Sequence, residues 1–414
     1  MRTVHPAVVI GAGQAGLAMS RCLTDRGVEH VVLERGRVAE RWRSERWDSL
    51  RLLSPNWMTR LPGWSYRGPD PHGFMTGDEV VSFFEGYARS SAAPVMELTA
   101  VECLAPADGG FALRTSAGNW RAANVVIASG WCDRPAVPSL AGQLDRALNQ
   151  LTPATYRNPE SLPAGGVLVV GASASGVQIA DELSRAGRDV VLAVGRHSRL
   201  PRTYRGMDIF WWLERTGTLD RTIDDVADPQ AARQEPSLQL AGRPDHRTLD
   251  LQALRGAGVE LTGRFTWADF RRVGFADDLS THVATADARV RRVLAEIDAH
   301  IEASGLTSEM LEAESPPTIQ VEQRLRELNL HERRITTVLW ATGHRRVYPW
   351  LRVPVLDRSG EIRQRRGCTP VPGLYVLGQR FQHRRNSNFI DGVGRDAAWI
   401  ADHLAHRTSV LCRA

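Results

Sequence analysis

Residues 8–16 read Val-Val-Ile-Gly-Ala-Gly-Gln-Ala-Gly, a β-branched run that leads into a Gly-x-Gly-x-x-Gly turn. A helical stretch follows and ends at Gly27, and a second apolar run at residues 31–33 ends at Glu34. In such a turn the first glycine allows a tight bend, the second lets the backbone approach a pyrophosphate, and the third lets helix and strand pack closely. An acid at the end of the second strand is placed to accept hydrogen bonds from both ribose hydroxyls of an adenosine. This context predicts a dinucleotide-binding βαβ unit.

The same pattern returns about 160 residues later, where residues 167–176 read Val-Leu-Val-Val-Gly-Ala-Ser-Ala-Ser-Gly. Its second strand ends in Gly-Arg-His-Ser-Arg at residues 195–199, without an acid. An acid would repel a 2′-phosphate, whereas an arginine can hold one with two hydrogen bonds. The second unit is therefore predicted to bind NADPH through Arg196, together with His197 and Arg199. The alternative is that these arginines are ordinary surface residues of an arginine-rich chain.

Between the two units the pattern changes to short alternating segments separated by glycine turns, which indicate hairpins. The segments cover residues 97–104, 111–115 and 119–127. The predicted fold class is therefore α/β, with two Rossmann-like dinucleotide-binding domains, an antiparallel β-meander and an α-helical insert. Further strands are predicted at residues 336–340 and 374–377, and helices at about 277–303 and 391–406.

Composition excludes several classes of function. The 52 basic residues among 414 are all arginine, which rules out Schiff-base lysine chemistry and a Walker-type phosphate loop. The arginines are interleaved with acids, so the net charge of +5 does not predict a nucleic-acid partner. No apolar run approaches the roughly 20 residues that cross a bilayer, and the N-terminus shows no signal pattern. We therefore expect a cytoplasmic protein without a membrane segment.

Cysteine usage is sparse and unpaired: Cys22, Cys103, Cys132, Cys368 and Cys412 are widely spaced and form no CxxC motif. This spacing argues against a disulfide framework and against a zinc site, so no metal is predicted. A flavoprotein disulfide reductase would need a redox-active cysteine pair, which the sequence lacks.

Together, these motifs and two ATG-like strand ends resemble the class B flavoprotein monooxygenases, which include the flavin-containing monooxygenases, the plant auxin-forming enzymes and the Baeyer–Villiger enzymes. The strand ends are Ala128-Ser129-Gly130 and Ala341-Thr342-Gly343. Residues 41–52 look like the family's tryptophan-rich segment beside the flavin, and residues 373–378 with 386–396 are similar to its closing FAD loop and helix. The resemblance covers most of residues 7–204 and 335–404.

The resemblance implies FAD as the first cofactor and NADPH as the second. It implies a discontinuous FAD-binding domain at residues 1–155 and 335–414, and an NADPH-binding domain at 156–334 with an insert at about 205–330. The predicted cofactor-binding residues are Gly11, Gly13, Gln14, Ala15, Gly16, Glu34, Arg35, Trp42, Arg51, Gly130, Gly171, Ser173, Ser175, Gly176, Arg196, His197, Arg199, Ala341, Thr342, Gly343, Gly378, Asn388, Gly392 and Val393.

One residue is predicted to be catalytic. Asn56 aligns with an asparagine near the reactive flavin edge in the resembling enzymes, where an amide could hydrogen-bond a flavin hydroperoxide. The alternative is a Pro-Asn turn residue. Trp57, Trp64 and Phe74 either wall an apolar substrate pocket or pack in the core. A departure from the family pattern is Thr152, which stands where the family has a histidine tied to NADP handling.

The resemblance implies an FAD-dependent, NADPH-consuming monooxygenase that inserts one oxygen atom from O2 into a small organic substrate through a C4a-hydroperoxyflavin. The alternatives are an NADPH oxidase and a flavin-binding regulatory protein. The expected partners are a small-molecule substrate and O2, and a homodimer is among the expected assemblies. For the insert, the sequence leaves open a lid over the flavin, with a mobile loop at Asp224–Gln239, or a sealed domain interface.

Overall fold

The computed structural model describes residues 4–314 and 318–411, with side chains up to residue 407. Its α-helices are α1 Gln14–Thr24, α2 Glu40–Ser44, α3 Gly77–Ser90, α4 Ala174–Arg185, α5 Ile209–Arg215, α6 Pro229–Arg233, α7 Leu251–Gly256, α8 Leu279–Ala303 and α9 Val393–Leu411. Short 3₁₀ helices cover Asn56–Met58, Ser139–Gln143, Pro159–Ser161 and Ile223–Asp225. Among the described helices, none has both the length and the apolar character that a membrane crossing requires.

The strands are β1 Val4–Ile10, β2 His30–Leu33, β3 Arg60–Leu61, β4 Trp64–Ser65, β5 Val95–Met96, β6 Val101–Ala107, β7 Gly110–Thr115, β8 Gly118–Ile127, β9 Arg134–Pro135, β10 Asn149–Leu151, β11 Gly166–Val170, β12 Val190–Ala193, β13 Ser198–Arg199, β14 Thr203–Tyr204, β15 Met207–Asp208, β16 Leu238–Gln239, β17 Glu260–Thr262, β18 Phe265–Asp269, β19 Arg272–Phe275, β20 Glu327–Asn329, β21 Ile335–Trp340, β22 His344–Arg345 and β23 Leu374–Val376.

The first domain is built on a seven-stranded sheet of order β5-β2-β1-β8-β7-β6, with β23 also paired to β8. β1 lies parallel to β2 and β8, and β23 lies parallel to β8. β6, β7 and β8 form antiparallel pairs, which confirms the predicted meander. β2 is buried throughout, as expected of a parallel strand covered on both faces, and α1, α3 and α9 contribute to the apolar cluster against this sheet.

The second domain has a five-stranded parallel sheet of order β10-β21-β11-β12-β17. This topology moves the predicted domain boundaries, because β10 and β21 were both expected in the first domain. The chain therefore enters the second domain before Asn149 and leaves it after Trp340, instead of at residues 156 and 334. Sequence periodicity indicates that each segment is a strand, but the sheet a strand joins depends on distant pairing partners.

The insert is not uniformly helical, which corrects the prediction for residues 205–330. α7 and β17 extend the second domain itself, since β17 pairs with β12. A separate antiparallel sheet contains β18, β19 and β20. The helical part consists of α5, α6 and α8, and α8 confirms the helix predicted at about residues 277–303. The strands β18, β19 and β20 are only three to five residues long, so no long alternation of polar and apolar residues distinguishes them in the sequence.

Candidate functional site

The first glycine-rich loop joins β1 to α1 in a geometry that only small residues allow. A Cβ on Gly16 would lie 1.7 Å from the carbonyl oxygen of Gly11, so helix and strand approach too closely for a side chain. A Cβ on Gly13 would meet nothing within 4 Å, and Gly13 begins α1 without a side-chain cap. The first backbone N–H groups of α1 thus have no side-chain cap, and a glycine precedes them, the arrangement that can bind a pyrophosphate.

Glu34 lies at the carboxyl end of β2 beside this loop. Its Oε2 accepts a hydrogen bond from the N–H of Ala12 at 2.7 Å, and its Oε1 accepts one from the N–H of Gly36 at 2.9 Å. The residue is 9% exposed, so its carboxylate is held in a fixed orientation. Each oxygen keeps a further lone pair for a ribose hydroxyl. The loop and this acid together fit the adenosine half of FAD.

A closing loop between β23 and α9, residues 377–392, reaches the first glycine-rich loop from the other side. Gln14 Nε2 donates to the carbonyl oxygen of Asn388 at 3.4 Å. A Cβ on Gly378 would lie 2.8 Å from the Cβ of Ala15, so the two loops are in close contact. Gly392, just before the buried Val393, has no room for a side chain either. The structure thus brings together the predicted residues of both loops.

Three further predicted residues lie around this site in different roles. Arg35 is exposed and pairs with Glu45 at 3.5 Å. Trp42 packs against the apolar clusters of both domains, beneath the guanidinium of Arg46. Arg51 donates to the carbonyl oxygen of Phe74 at 2.8 Å. Their contribution to FAD binding stays a prediction.

The second glycine-rich loop, between β11 and α4, repeats the geometry of the first. A Cβ on Gly176 would lie 1.8 Å from the carbonyl oxygen of Gly171. Ser173 begins α4 and makes no side-chain capping bond. Both helices therefore start with uncapped backbone N–H groups beside a glycine turn, which fits a second dinucleotide.

A cleft of about 910 Å³ lies between the domains at the carboxyl ends of both sheets. The second domain contributes the predicted residues Gly171, Ser173, Ser175, Arg196, Ala341, Thr342 and Gly343 to its lining. The first domain contributes Trp131 and Cys132, which follow Gly130, and Gln379 and Arg380, which follow Gly378. Crevices at the carboxyl ends of strands are where α/β sheets bind ligands.

Part of the insert, residues 219–239, forms another wall of this cleft; we call it the insert arm. Arg233 and Glu235 line the cleft. The arm is also tied to the closing loop, because the N–H of Ile223 donates to the carbonyl oxygen of His383 at 2.7 Å. The segment expected to be a polar loop contains a 3₁₀ helix, α6 and β16. Its mobility stays a prediction.

The structure corrects the prediction for Arg199. This residue is 3% exposed, and its guanidinium forms ion pairs with Asp250 at 3.2 Å and Asp287 at 2.7 Å. The pairing of β13 with β16 turns it into the protein interior. His197 is also buried and bonds through Nδ1 to Gly195, and burial lowers its pKa. Of the three candidates at this strand end, only Arg196 is exposed and lines the cleft.

Asn56 is buried, with both amide atoms bonded to the backbone. Its Nδ2 donates to the carbonyl oxygen of Asp70 at 2.9 Å, and its Oδ1 accepts from the N–H of Met75 at 2.8 Å. The amide therefore connects Asn56 to the segment from Asp70 to Met75. Trp64 packs near Phe83 and Tyr87 in the first core. Neither Asn56 nor Trp64 lines the described cleft.

Thr152, at the position where the resembling family has histidine, starts a turn at the edge of the cleft. Its carbonyl oxygen accepts from the N–H of Tyr156 at 2.9 Å, and its neighbour Pro153 lines the cleft. Tyr156 in turn donates to Glu182 on α4 at 2.8 Å. Thr152 therefore lies between the two domains, but its side chain does not provide the imidazole that the family's histidine has.

Sequence reasoning missed the aromatic and cationic residues of the cleft. The guanidiniums of Arg346 and Arg380 each lie 5.2 Å from the ring centroid of Trp131. Burial and the nearby charge of Arg46 lower the pKa of His344 to about 4, so this cleft residue is neutral near pH 7. The sequence signal for these residues is their position: Trp131, His344, Arg346 and Arg380 each lie within three residues after a glycine that itself lies two or three residues beyond the end of a strand.

The described cysteines are single, free thiols, and Cys412 lies outside the described residues. Cys132 is the cysteine that lines the cleft, and burial raises its pKa despite the arginines nearby. In the described ranges, no group of His, Cys, Asp and Glu is arranged to hold a metal ion. The cleft therefore presents no dithiol among its described residues.

The family described as pyridine nucleotide-disulphide oxidoreductase matches residues 8–207. A protein of Geobacillus kaustophilus, named only as an uncharacterized CzcO-like oxidoreductase, is 30% identical over 98% of this chain and 99% of its own length. This chain belongs to the CzcO-like oxidoreductases. Another relative is the indole-3-pyruvate monooxygenase YUCCA1 of Oryza sativa, which is 32% identical over 50% of this chain and 52% of that protein.

The fold of this CzcO-like oxidoreductase is that of a known monooxygenase structure. A flavin-containing monooxygenase from Stenotrophomonas maltophilia superposes with a TM-score of 0.68 at 18% identity, over 98% of this chain and 99% of that one. The resemblance to class B flavoprotein monooxygenases and the predicted two-domain fold are thereby confirmed. The protein is therefore an oxidoreductase with the fold of the flavin-containing monooxygenases.

Proposed function

We propose that this CzcO-like oxidoreductase is an FAD-dependent, NADPH-consuming monooxygenase that inserts one oxygen atom from O2 into a small organic substrate. The observation that carries the proposal is the interdomain cleft. One wall comes from the second glycine-rich loop with Arg196, and the facing wall comes from the strand ends that follow Gly130 and Gly378. A nicotinamide and a flavin held at these two loops would meet there.

In this proposal, each cofactor is bound by residues whose geometry suits it. Glu34 accepts from the ribose of FAD, and the N-terminus of α1 binds its pyrophosphate. Arg196 binds the 2′-phosphate of NADPH, and the N-terminus of α4 binds its pyrophosphate. When bound, FAD supplies hydride acceptance and the activation of O2. The catalytic role of Asn56 stays a prediction: its Nδ2 donates one N–H to Asp70 and keeps a second, and its Oδ1 keeps a second lone pair besides the bond from Met75.

The chain's own contribution to the reaction is to orient the substrate and to exclude water. The insert arm supports this contribution, because Arg233 and Glu235 close one side of the cleft. The same arm is bonded to the closing loop through Ile223 and His383, a contact that is compatible with either the lid or the interface interpretation of the insert. We propose that the arm limits which substrates enter and how well water is excluded.

The absence of a cysteine pair supports oxygenation over disulfide reduction. Cys132 has no cysteine partner within the described part of the cleft lining, and the sequence contains no CxxC motif. Transfer of electrons from a flavin to a disulfide substrate proceeds through thiol–disulfide exchange with a thiolate, and burial here raises the pKa of the Cys132 thiol.

The test uses purified holoenzyme with NADPH and isotopically labelled O2. Candidate substrates are a tertiary amine, a thioether, a cyclic ketone and indole-3-pyruvate, the last taken from the name of the plant relatives. We expect labelled oxygen in one product, with NADPH consumed in proportion to it. Hydrogen peroxide equal to the NADPH consumed for each substrate would instead identify an NADPH oxidase. A cytoplasmic location and a homodimer belong to the proposal, and cell fractionation and light scattering test them.

A further inference from the structure

Glu235 of the insert arm is shared by two arginines from different parts of the chain. Its Oε2 accepts from Nη2 of Arg385 at 2.7 Å, and its Oε1 lies 3.4 Å from Nη2 of Arg289. The same side chain lines the interdomain cleft. It is 22% exposed, so solvent screens these ion pairs only in part.

Arg289 connects Glu235 to the predicted nucleotide site of the second domain. It lies on α8, and its Nη1 donates to the hydroxyl of Ser198 at 2.6 Å. Ser198 begins β13, and the exposed Arg196 lies two residues before it, between β12 and β13. An anion bound at Arg196 would therefore lie near the hydrogen-bond network that fixes Arg289.

Arg385 connects Glu235 to the closing loop of the first domain. Its backbone N–H donates to the carbonyl oxygen of Arg221 in the insert arm at 3.1 Å. Three residues further along the loop, the carbonyl oxygen of Asn388 accepts from Gln14 in the first glycine-rich loop at 3.4 Å. The position of Arg385 therefore influences the loop that adjoins the FAD site.

We propose that Glu235 is a positioning residue that couples NADP(H) binding in the second domain to the closing loop of the first. The two arginines contact different oxygens of one carboxylate, and the shorter contact is to Arg385. A phosphate bound at Arg196 attracts the guanidinium of Arg289 and weakens its ion pair with Glu235. The carboxylate of Glu235 then interacts more strongly with Arg385. Because coupling between two binding sites is reciprocal, FAD occupancy influences NADP(H) affinity through the same pairs. This inference rests on the NADP(H) and FAD sites of the proposed function and is independent of oxygen transfer.

The experiment measures hydrogen–deuterium exchange of the closing loop in oxidised holoenzyme, with and without saturating NADP⁺. In the wild-type protein we expect NADP⁺ to slow exchange at residues 381–391 by about 5-fold or more, the lower end of usual coupling. Glu235→Gln keeps the shape of the side chain but removes its charge, so we expect most of this protection to be lost. Calorimetry should show that the variant still binds NADP⁺.

Two further variants make the result decisive. Arg289→Gln should lose the protection as Glu235→Gln does, and the double variant should lose no more than either alone, since all three changes break one connection. Asp224→Asn is the matched control, because this arm residue pairs with Arg366 at 3.3 Å on an exposed surface. It should retain the wild-type response. Full protection in both Glu235→Gln and Arg289→Gln, no protection in the wild type, or equal loss in Asp224→Asn would overturn the proposal.

Discussion

The carboxylate of Glu34 accepts a hydrogen bond from the backbone N–H of Ala12 at 2.7 Å. This bond links the end of β2 to the glycine-rich turn that follows the neighbouring strand β1. The bond fixes the glycine-rich turn and the acid as one unit before any nucleotide arrives. Since Glu34 also accepts from Gly36, its remaining lone pairs point to a limited set of positions. Binding at such a preorganised site costs less ordering than binding at a mobile loop.

We predict that Glu34→Ala lowers FAD affinity by roughly 10- to 150-fold, because a hydrogen bond to a charged group contributes about 1.5–3 kcal/mol. The measurement is the flavin-to-protein ratio after purification, followed by titration of the deflavinated protein with FAD. Glu29→Ala, an exposed acid just before the same strand, is the control and should bind FAD normally. Unchanged affinity in Glu34→Ala would remove this residue from the FAD site.

Arg196→Ala should lower kcat/KM for NADPH by roughly 10- to 150-fold and leave NADH use nearly unchanged, since only NADPH carries the 2′-phosphate. Steady-state rates of NADPH and NADH oxidation measure this. Arg185→Ala removes an exposed arginine of α4 that pairs with Asp181 and should change neither rate. If Arg196→Ala impairs both cofactors equally, the arginine has a structural role.

Arg199→Met should destabilise the protein without changing the preference for NADPH. It leaves Asp250 and Asp287 buried without their cation, and breaking such a buried pair typically costs about 3–5 kcal/mol. The shift of the urea denaturation midpoint measures the effect. Arg272→Met breaks an exposed pair with Glu327 and should cost no more than about 1 kcal/mol. A loss of NADPH preference at unchanged stability would contradict the structural role.

His344 should make the protein less stable as pH falls through the weakly acidic range. Its pKa is lowered to about 4 in the folded state, below the ordinary value of 6.5. Between these values the unfolded chain binds the proton more readily, so protonation favours unfolding. Urea denaturation at pH 5 and pH 7.5 should show a smaller pH effect in His344→Gln than in the wild type. His72→Gln, an exposed control, should follow the wild type. An identical pH effect in all three would show that His344 is not the group responsible.

Much of the fold could be predicted because its signals are local. The third glycine of the first loop meets a steric demand from within the same turn, since a Cβ on Gly16 would lie 1.7 Å from the carbonyl oxygen of Gly11. The domain boundaries could not be predicted in this way, because β10 and β21 are placed by pairing with distant strands. Arg199 was misassigned for the same reason. Its direction is set by the pairing of β13 with β16, which lies 40 residues on and outside the resembling segments.

The cleft residues show a second limit of sequence reasoning. Trp131 lies between Arg346 and Arg380, yet these residues are far apart in the chain and none belongs to a glycine motif. Their positions just after strand-ending glycines place them at one edge of their sheets. Which of them share a cleft depends on how the two sheets face each other, and no local pattern encodes that orientation.

The split of the first domain around the second has a consequence for biogenesis. β8 gains its parallel neighbour β23, and α1 gains its partner α9, only after the whole nested domain has been translated. Domains generally fold as units during synthesis. The sheet of the second domain can therefore form on the ribosome before the sheet of the first domain has gained β23 and its covering helix α9. We therefore expect flavin binding to follow translation of β23 and α9. A chain arrested before β23 would have its inner domain folded and its flavin site unformed.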